Sequence, residues 1–157
     1  MTTVNGRLGA RAAAVLDAAL DRLIPSDEFG PGALEAGVGR YVVGMLGRAD
    51  VRVARDWRRS LEQLDELALA RTGSAFAELE PGLQDDLLEL VAAGGAPGNE
   101  PAAEFFEMLR LRAIEGYFGD PRWGGNAGRA GWAMLGYEGP RLVWGPYDQR
   151  LESIPFS

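Results

Sequence analysis

Chemistry in this chain must be done with carboxylates, tyrosines and arginines, because its 157 residues include no histidine and no cysteine. Paired acids can divide general acid and base work between them, as they do in glycoside hydrolysis. Three pairs are candidates: Asp27 with Glu28, Asp85 with Asp86, and Glu115 with Asp120. The first falls in a loop and the second in the first turn of a helix, where acids meet the positive end of the helix dipole. A capping or solvated role fits these positions better than catalysis. The missing residue types exclude Ser–His and Cys–His nucleophiles, disulfides, thiolate zinc sites, iron–sulfur clusters and haem attached through cysteine. Asp and Glu leave a metal site open, but no calcium-loop spacing occurs. Gly124-Gly125-Asn126-Ala127-Gly128 lacks the dinucleotide spacing, the Walker lysine and a preceding strand, so it does not read as a phosphate cradle. No catalytic, cofactor-binding or metal-binding residue is expected in this chain.

Residues suited to contact are more prominent. Gly119 to Gly139 holds seven glycines and two tryptophans, with Asp120-Pro121 ahead of Trp123 and a Gly-Gly-Asn run ending at Asn126. Such a run supplies positive φ angles and hence tight turns. Trp123 and Trp132 give this loop apolar area, which either staples it to the core or meets a partner. After it, Pro140 to Ser157 carries Leu142, Val143, Trp144, Tyr147, Leu151, Ile154 and Phe156 among prolines and charges. That reads as an extended aromatic arm, which either folds back on its own helices or docks on another protein. Left in water it would form the kind of apolar patch that marks partner surfaces, and Trp and Tyr are common interface anchors. The candidate partner-binding residues are therefore Trp123, Asn126, Trp132, Trp144 and Tyr147.

The elements that must position these residues are helices. From Ala10 to Ile24 apolar residues recur at helical spacing until Pro25 stops the ladder. A second helix is predicted from Ala33 to Leu46, although Gly37, Gly39 and Gly44 weaken it. A third begins at the cap Asp50, carries Ala54, Trp57, Leu61, Leu64 and Ala68 on one stripe, and closes at Thr72-Gly73. A fourth runs from Pro81 to about Ala93 with Leu83, Leu87, Leu90 and Val91 turned inward. A fifth, capped by Asn99, carries Phe105, Phe106, Leu109, Ala113, Ile114 and Tyr117. The fold class is all-α: about five helices in a small bundle over residues 1–118, followed by the glycine/tryptophan loop and the arm over residues 119–157.

Composition narrows the partners. Hydrophobic residues make up 46% of the chain, enough for a packed core and too many for a disordered segment. Sixteen arginines, with no lysine, stand against 23 acids for a net charge of −7. Nucleic acid is thus an unfavoured partner, since binding phosphate needs concentrated positive charge. No apolar run reaches the roughly 20 residues of a membrane span. Asp17 and Asp21 interrupt the Ala-rich stretch near the N-terminus, so no export signal is expected and the cytoplasm is the expected location.

Three segments resemble the gluconate 2-dehydrogenase subunit 3 family. They are Asp21-Arg22-Leu23-Ile24-Pro25-Ser26-Asp27 with Gly30 to Ala33 and Ala36 to Val38; Phe105-Phe106 with Glu115-Gly116-Tyr117-Phe118; and Asp120-Pro121-x-Trp123-Gly-Gly-Asn126 with Gly131-Trp132 and Leu135-Gly136-Tyr137. The last is the most specific, because its order and spacing hold over about twenty residues. The resemblance implies a helical, non-catalytic small subunit without a cofactor of its own. Its expected partner is a large FAD-binding flavoprotein of the glucose–methanol–choline type that oxidises a sugar, alditol, sugar acid or glycoside. An electron-transfer subunit such as a cytochrome is a further possible partner. The small subunit would aid folding, cofactor loading or export of the large one. Relatives commonly begin with a twin-arginine signal, which is not visible here; periplasmic location by co-export on a partner is the alternative to the cytoplasm. Two other classes stay open: a stand-alone helical protein-binding module and a carboxylate-dependent enzyme.

Overall fold

The computed structural model describes residues 8–95 and 102–140. Among the described residues six α-helices follow one another: α1 Ala10–Leu23, α2 Val38–Arg48, α3 Val51–Thr72, α4 Pro81–Ala92, α5 Ala102–Phe118 and α6 Ala130–Met134. Three single 3₁₀ turns join them, at Phe76–Glu78, Pro121–Trp123 and Ala127–Arg129. Among the described residues the only β pairing is the isolated bridge between Asp27 and Gly30. The all-α bundle expected from the sequence is the fold observed. No helix among the described residues is long and apolar enough to cross a membrane.

Helix α1 occupies the centre, touching α2, α3, α4, α5 and the Phe76 turn. Its small residues explain the position: Ala12 and Ala19 are buried beside Val15, Leu16 and Leu20, letting neighbouring backbones come close. Helix α3 follows its sequence pattern throughout. Asp50 accepts a hydrogen bond from the Arg52 amide at 2.8 Å, and Gly73 takes the left-handed conformation at φ 79° that ends the helix. Trp57 on its buried stripe meets Phe105 of α5 edge to face, with centroids 5.4 Å apart.

Two expectations need correction. Helix α2 starts at Val38, not Ala33, because Gly37 sits at φ 74°, which a continuous right-handed helix does not allow. The preceding residues form a separate turn in which the Ala36 amide donates to Gly32 and the Val38 amide to Ala33. Leu34, within that turn, is exposed. On α4 Leu83 also points outward, and Gln84 takes the inner position. The buried Gln84 Nε2 donates to the Phe76 carbonyl at 2.9 Å, while Asp65 Oδ1 accepts from the Phe76 amide at 2.7 Å. Both backbone groups of the fully buried Phe76 are thus satisfied by side chains from two helices. An unpaired buried amide or carbonyl would cost about 1–3 kcal/mol. Asp65 also accepts from Arg11 at 2.5 Å, and Arg22 of α1 grips Asp85 of α4 through two bonds of 2.8 and 3.0 Å. The Asn99 cap proposed for α5 lies outside the described residues, as does the arm from residue 141 onward.

Candidate partner-docking surface

The glycine-rich segment after α5 folds onto the helices through one asparagine and several close backbone approaches. Asn126 is 0% exposed and adopts φ 46°, a left-handed conformation that asparagine tolerates better than most residues. Its Nδ2 donates to the Gly119 carbonyl and its Oδ1 accepts from the Gly131 amide, both at 2.8 Å. One side chain therefore ties the two ends of the loop together. The next amide, Ala127, donates to the Ala36 carbonyl at 2.8 Å and fastens the loop to the turn before α2.

Glycine is required where the backbones meet. A Cβ on Gly125 would overlap the Gly116 carbonyl, and one on Gly131 would overlap the Tyr117 carbonyl. Gly116 is itself pressed against α2, with Tyr41 Cδ1 2.8 Å from where its Cβ would stand. Trp132 closes the arrangement: it is 8% exposed, donates from Nε1 to the Phe118 carbonyl at 2.7 Å and meets Tyr137 edge to face at 5.1 Å. Tyr117 is buried and donates to the Pro31 carbonyl at 2.6 Å, joining α5 to the α1–α2 connection. Burial raises its hydroxyl pKa above the ordinary value, followed by the nearby charges of Asp27 and Glu35, and so keeps it protonated as a donor.

The candidate contact residues consequently divide. Asn126 and Trp132 hold the loop together from inside, whereas Trp123 is 47% exposed at its surface. Trp144 and Tyr147 fall outside the described residues. The structure adds side chains that sequence reading did not single out. Phe29 is 76% exposed at the tip of a turn in which Asp27 Oδ1 accepts from the Phe29 and Gly30 amides at 2.8 and 3.2 Å. Gly30 lies against Met134 of α6, and Met134, Leu135 and Tyr137 are each exposed. The available signal was Phe29 itself, an aromatic set in Asp-Glu-Phe-Gly-Pro, where no helix face could bury it.

Four of the six carboxylates raised as catalytic candidates have structural occupations. Asp27 organises its turn, Asp85 pairs with Arg22, and Asp120 accepts from the Arg122 amide at 3.0 Å. Glu115 accepts from Tyr41 Oη at 2.9 Å and from Arg112. Partial burial pushes the Glu115 carboxyl upward, but the bonds from Arg112 and Tyr41 outweigh it and hold its pKa below the ordinary value. Among the described residues no group of three or more acids is placed to hold a metal ion.

Comparison with known proteins places this geometry. The chain found no match among curated proteins or solved structures. The family model described as gluconate 2-dehydrogenase subunit 3 matches residues 10–139, from the start of α1 through the loop locked by Asn126. The chain belongs to the gluconate 2-dehydrogenase subunit 3 family.

Proposed function

We propose that this protein is the non-catalytic small subunit of an FAD-dependent dehydrogenase, docking on and stabilising a large flavoprotein of the glucose–methanol–choline type. The family is that of a dehydrogenase subunit, which supports a catalytic partner. The observation that carries the docking role is the exposure of Phe29, Trp123, Met134 and Leu135 on two short connections, the turn after α1 and the glycine-rich segment after α5. Each is exposed on a segment fixed by its own hydrogen bonds or by the locked glycine loop. Exposed aromatics on rigid backbone bury large area with little entropy to lose, which favours association. The commitment of Asp27, Asp85, Glu115 and Asp120 to turns, caps and ion pairs leaves none of the three candidate pairs with both acids free, which supports a structural role over a carboxylate-dependent enzyme. FAD belongs to the large subunit in this reading, and the substrate is a sugar, sugar acid or glycoside. The complex resides in the cytoplasm, or in the periplasm if the partner carries the export signal.

Binding only the folded, flavin-loaded partner stabilises that form by mass action. The test is co-expression with a glucose–methanol–choline flavoprotein from the same genome, followed by size-exclusion chromatography with flavin absorbance recorded across the peaks. Co-elution, with flavin content or solubility falling when this chain is omitted, is expected. Separate elution, with the flavoprotein fully active alone, would favour the stand-alone binding module instead.

A further inference from the structure

The arginines around Trp123 form a cationic cluster on a chain whose net charge is −7. Arg48, at the end of α2, and Arg122 both lie over the Trp123 ring, each 5.2 Å from its centroid. Their guanidinium carbons are therefore no more than about 10 Å apart. Arg40 stands two helical turns before Arg48, beside the point where Gly124 meets α2. Gly44 lies midway between them at the same helical step, and the Arg48 guanidinium reaches back to within 3.5 Å of where its Cβ would stand. Two nearby acids are already engaged: Asp120 pairs with Arg122 at 3.3 Å, and Glu115 with Arg112. Arg40 and Arg48 form no ion pair among the described residues.

We infer that Arg48 and Arg122 over the Trp123 ring, with Arg40 beside the adjoining Gly124, form a docking site for an acidic segment of the partner flavoprotein. The inference rests on the proposed function and names the chemistry of one contact within it. Like charges held within about a Debye length repel, and an arriving carboxylate relieves that repulsion. Guanidinium groups bind carboxylates through paired hydrogen bonds, and an aromatic ring beneath them holds their planes in place. An extended polyanion such as a duplex would reach beyond the cluster onto the acidic remainder of the surface. A short acidic segment would meet the cluster alone. Because the rest of the chain repels acidic groups, the cluster also sets the orientation of approach.

The experiment uses the co-expressed complex and measures affinity and its salt dependence for Arg48→Glu, Arg40→Glu and Trp123→Ala. Arg59→Glu, an exposed arginine on α3, is the control for net charge. Each cluster variant is expected to weaken the complex by about tenfold, and the two arginine reversals to flatten its salt dependence. Arg59→Glu is expected to stay within about twofold of the unaltered chain. Unfolding curves that match the unaltered chain would confirm that these exposed substitutions leave the fold intact. If the complex forms and all variants bind alike, the docking site is refuted while the subunit role stands. An equal loss with Arg59→Glu would show general charge attraction and refute the site as well. If no complex forms with the unaltered chain, the proposed function and this site fall together.

Discussion

A side chain with both ends hydrogen-bonded inside a protein cannot be shortened cheaply, and Asn126 and Asp65 are two such residues. Asn126→Ala would leave the Gly119 carbonyl and Gly131 amide without partners in a buried site, and would place alanine at a positive φ. The expected cost is about 2–4 kcal/mol, seen as a lowered midpoint in urea unfolding. Asn126→Gly should cost less, because it removes the bonds but accepts the backbone conformation. Asp65→Ala strands the buried Phe76 amide, while the half-exposed Arg11 guanidinium turns to water, and a loss of about 1–3 kcal/mol is expected. An unfolding midpoint equal to that of the unaltered chain would show that water replaces these bonds. The sequence singled out Asn126 for its place in a Gly-Gly-Asn run, but spacing does not disclose which way a side chain faces. Asp65 could not be singled out at all. It lies on α3 between Leu64 and Glu66, and its partner, the Phe76 amide, belongs to a turn with no periodic pattern.

At the scale of elements, legibility followed the number of independent local signals. Helix α3 carries a cap, an apolar stripe and a terminal glycine that agree, and its limits were readable almost to the residue. Helix α2 offered glycines at three interior positions, and composition does not show that Gly37 alone takes the left-handed conformation. Helix α6 spans only Ala130–Met134 and is too short for any periodicity to register. The glycines make a paired prediction. Gly131→Ala forces a methyl group into the Tyr117 carbonyl and should cost upwards of about 2 kcal/mol, by backbone displacement in a packed region. Gly82, in the first turn of α4, has open space around its would-be Cβ and no positive φ. Gly82→Ala should therefore be neutral or stabilising by up to about 1 kcal/mol, through helix propensity and a less flexible unfolded chain. Thermal unfolding of the two variants checks both signs together, and destabilisation by Gly82→Ala would contradict the open environment described for it.

For the molecule as a whole, acid should loosen the structure by a predictable route. The bond from Arg22 lowers the pKa of Asp85, and Arg112 with Tyr41 outweighs burial to lower that of Glu115. A depressed carboxylate contributes stability above its unfolded value and loses it as pH falls through its folded value. The ordinary values are 3.8 and 4.5, so the melting temperature should hold from neutrality to about pH 5 and decline below about pH 4.5. Arg22→Gln should flatten part of that decline, and an unchanged acid profile in this variant would remove the pair as its cause. The acidic surface and all-α class were legible from composition and periodicity. The proposed docking surface was legible only at Trp123, because Phe29 and Arg48 become neighbours of the glycine loop only after distant segments close on one another. That closure has a consequence for how the protein is made. The Ala127 amide fastens residue 36, Tyr117 fastens Pro31, and the ribosome emits these partners some ninety residues apart. At roughly 5–20 residues per second, the connection between α1 and α2 waits roughly 4–18 seconds for the residues that fasten it. A chaperone seeking the nascent chain has its opening in that interval, while the Gly116 face of α2 is still bare.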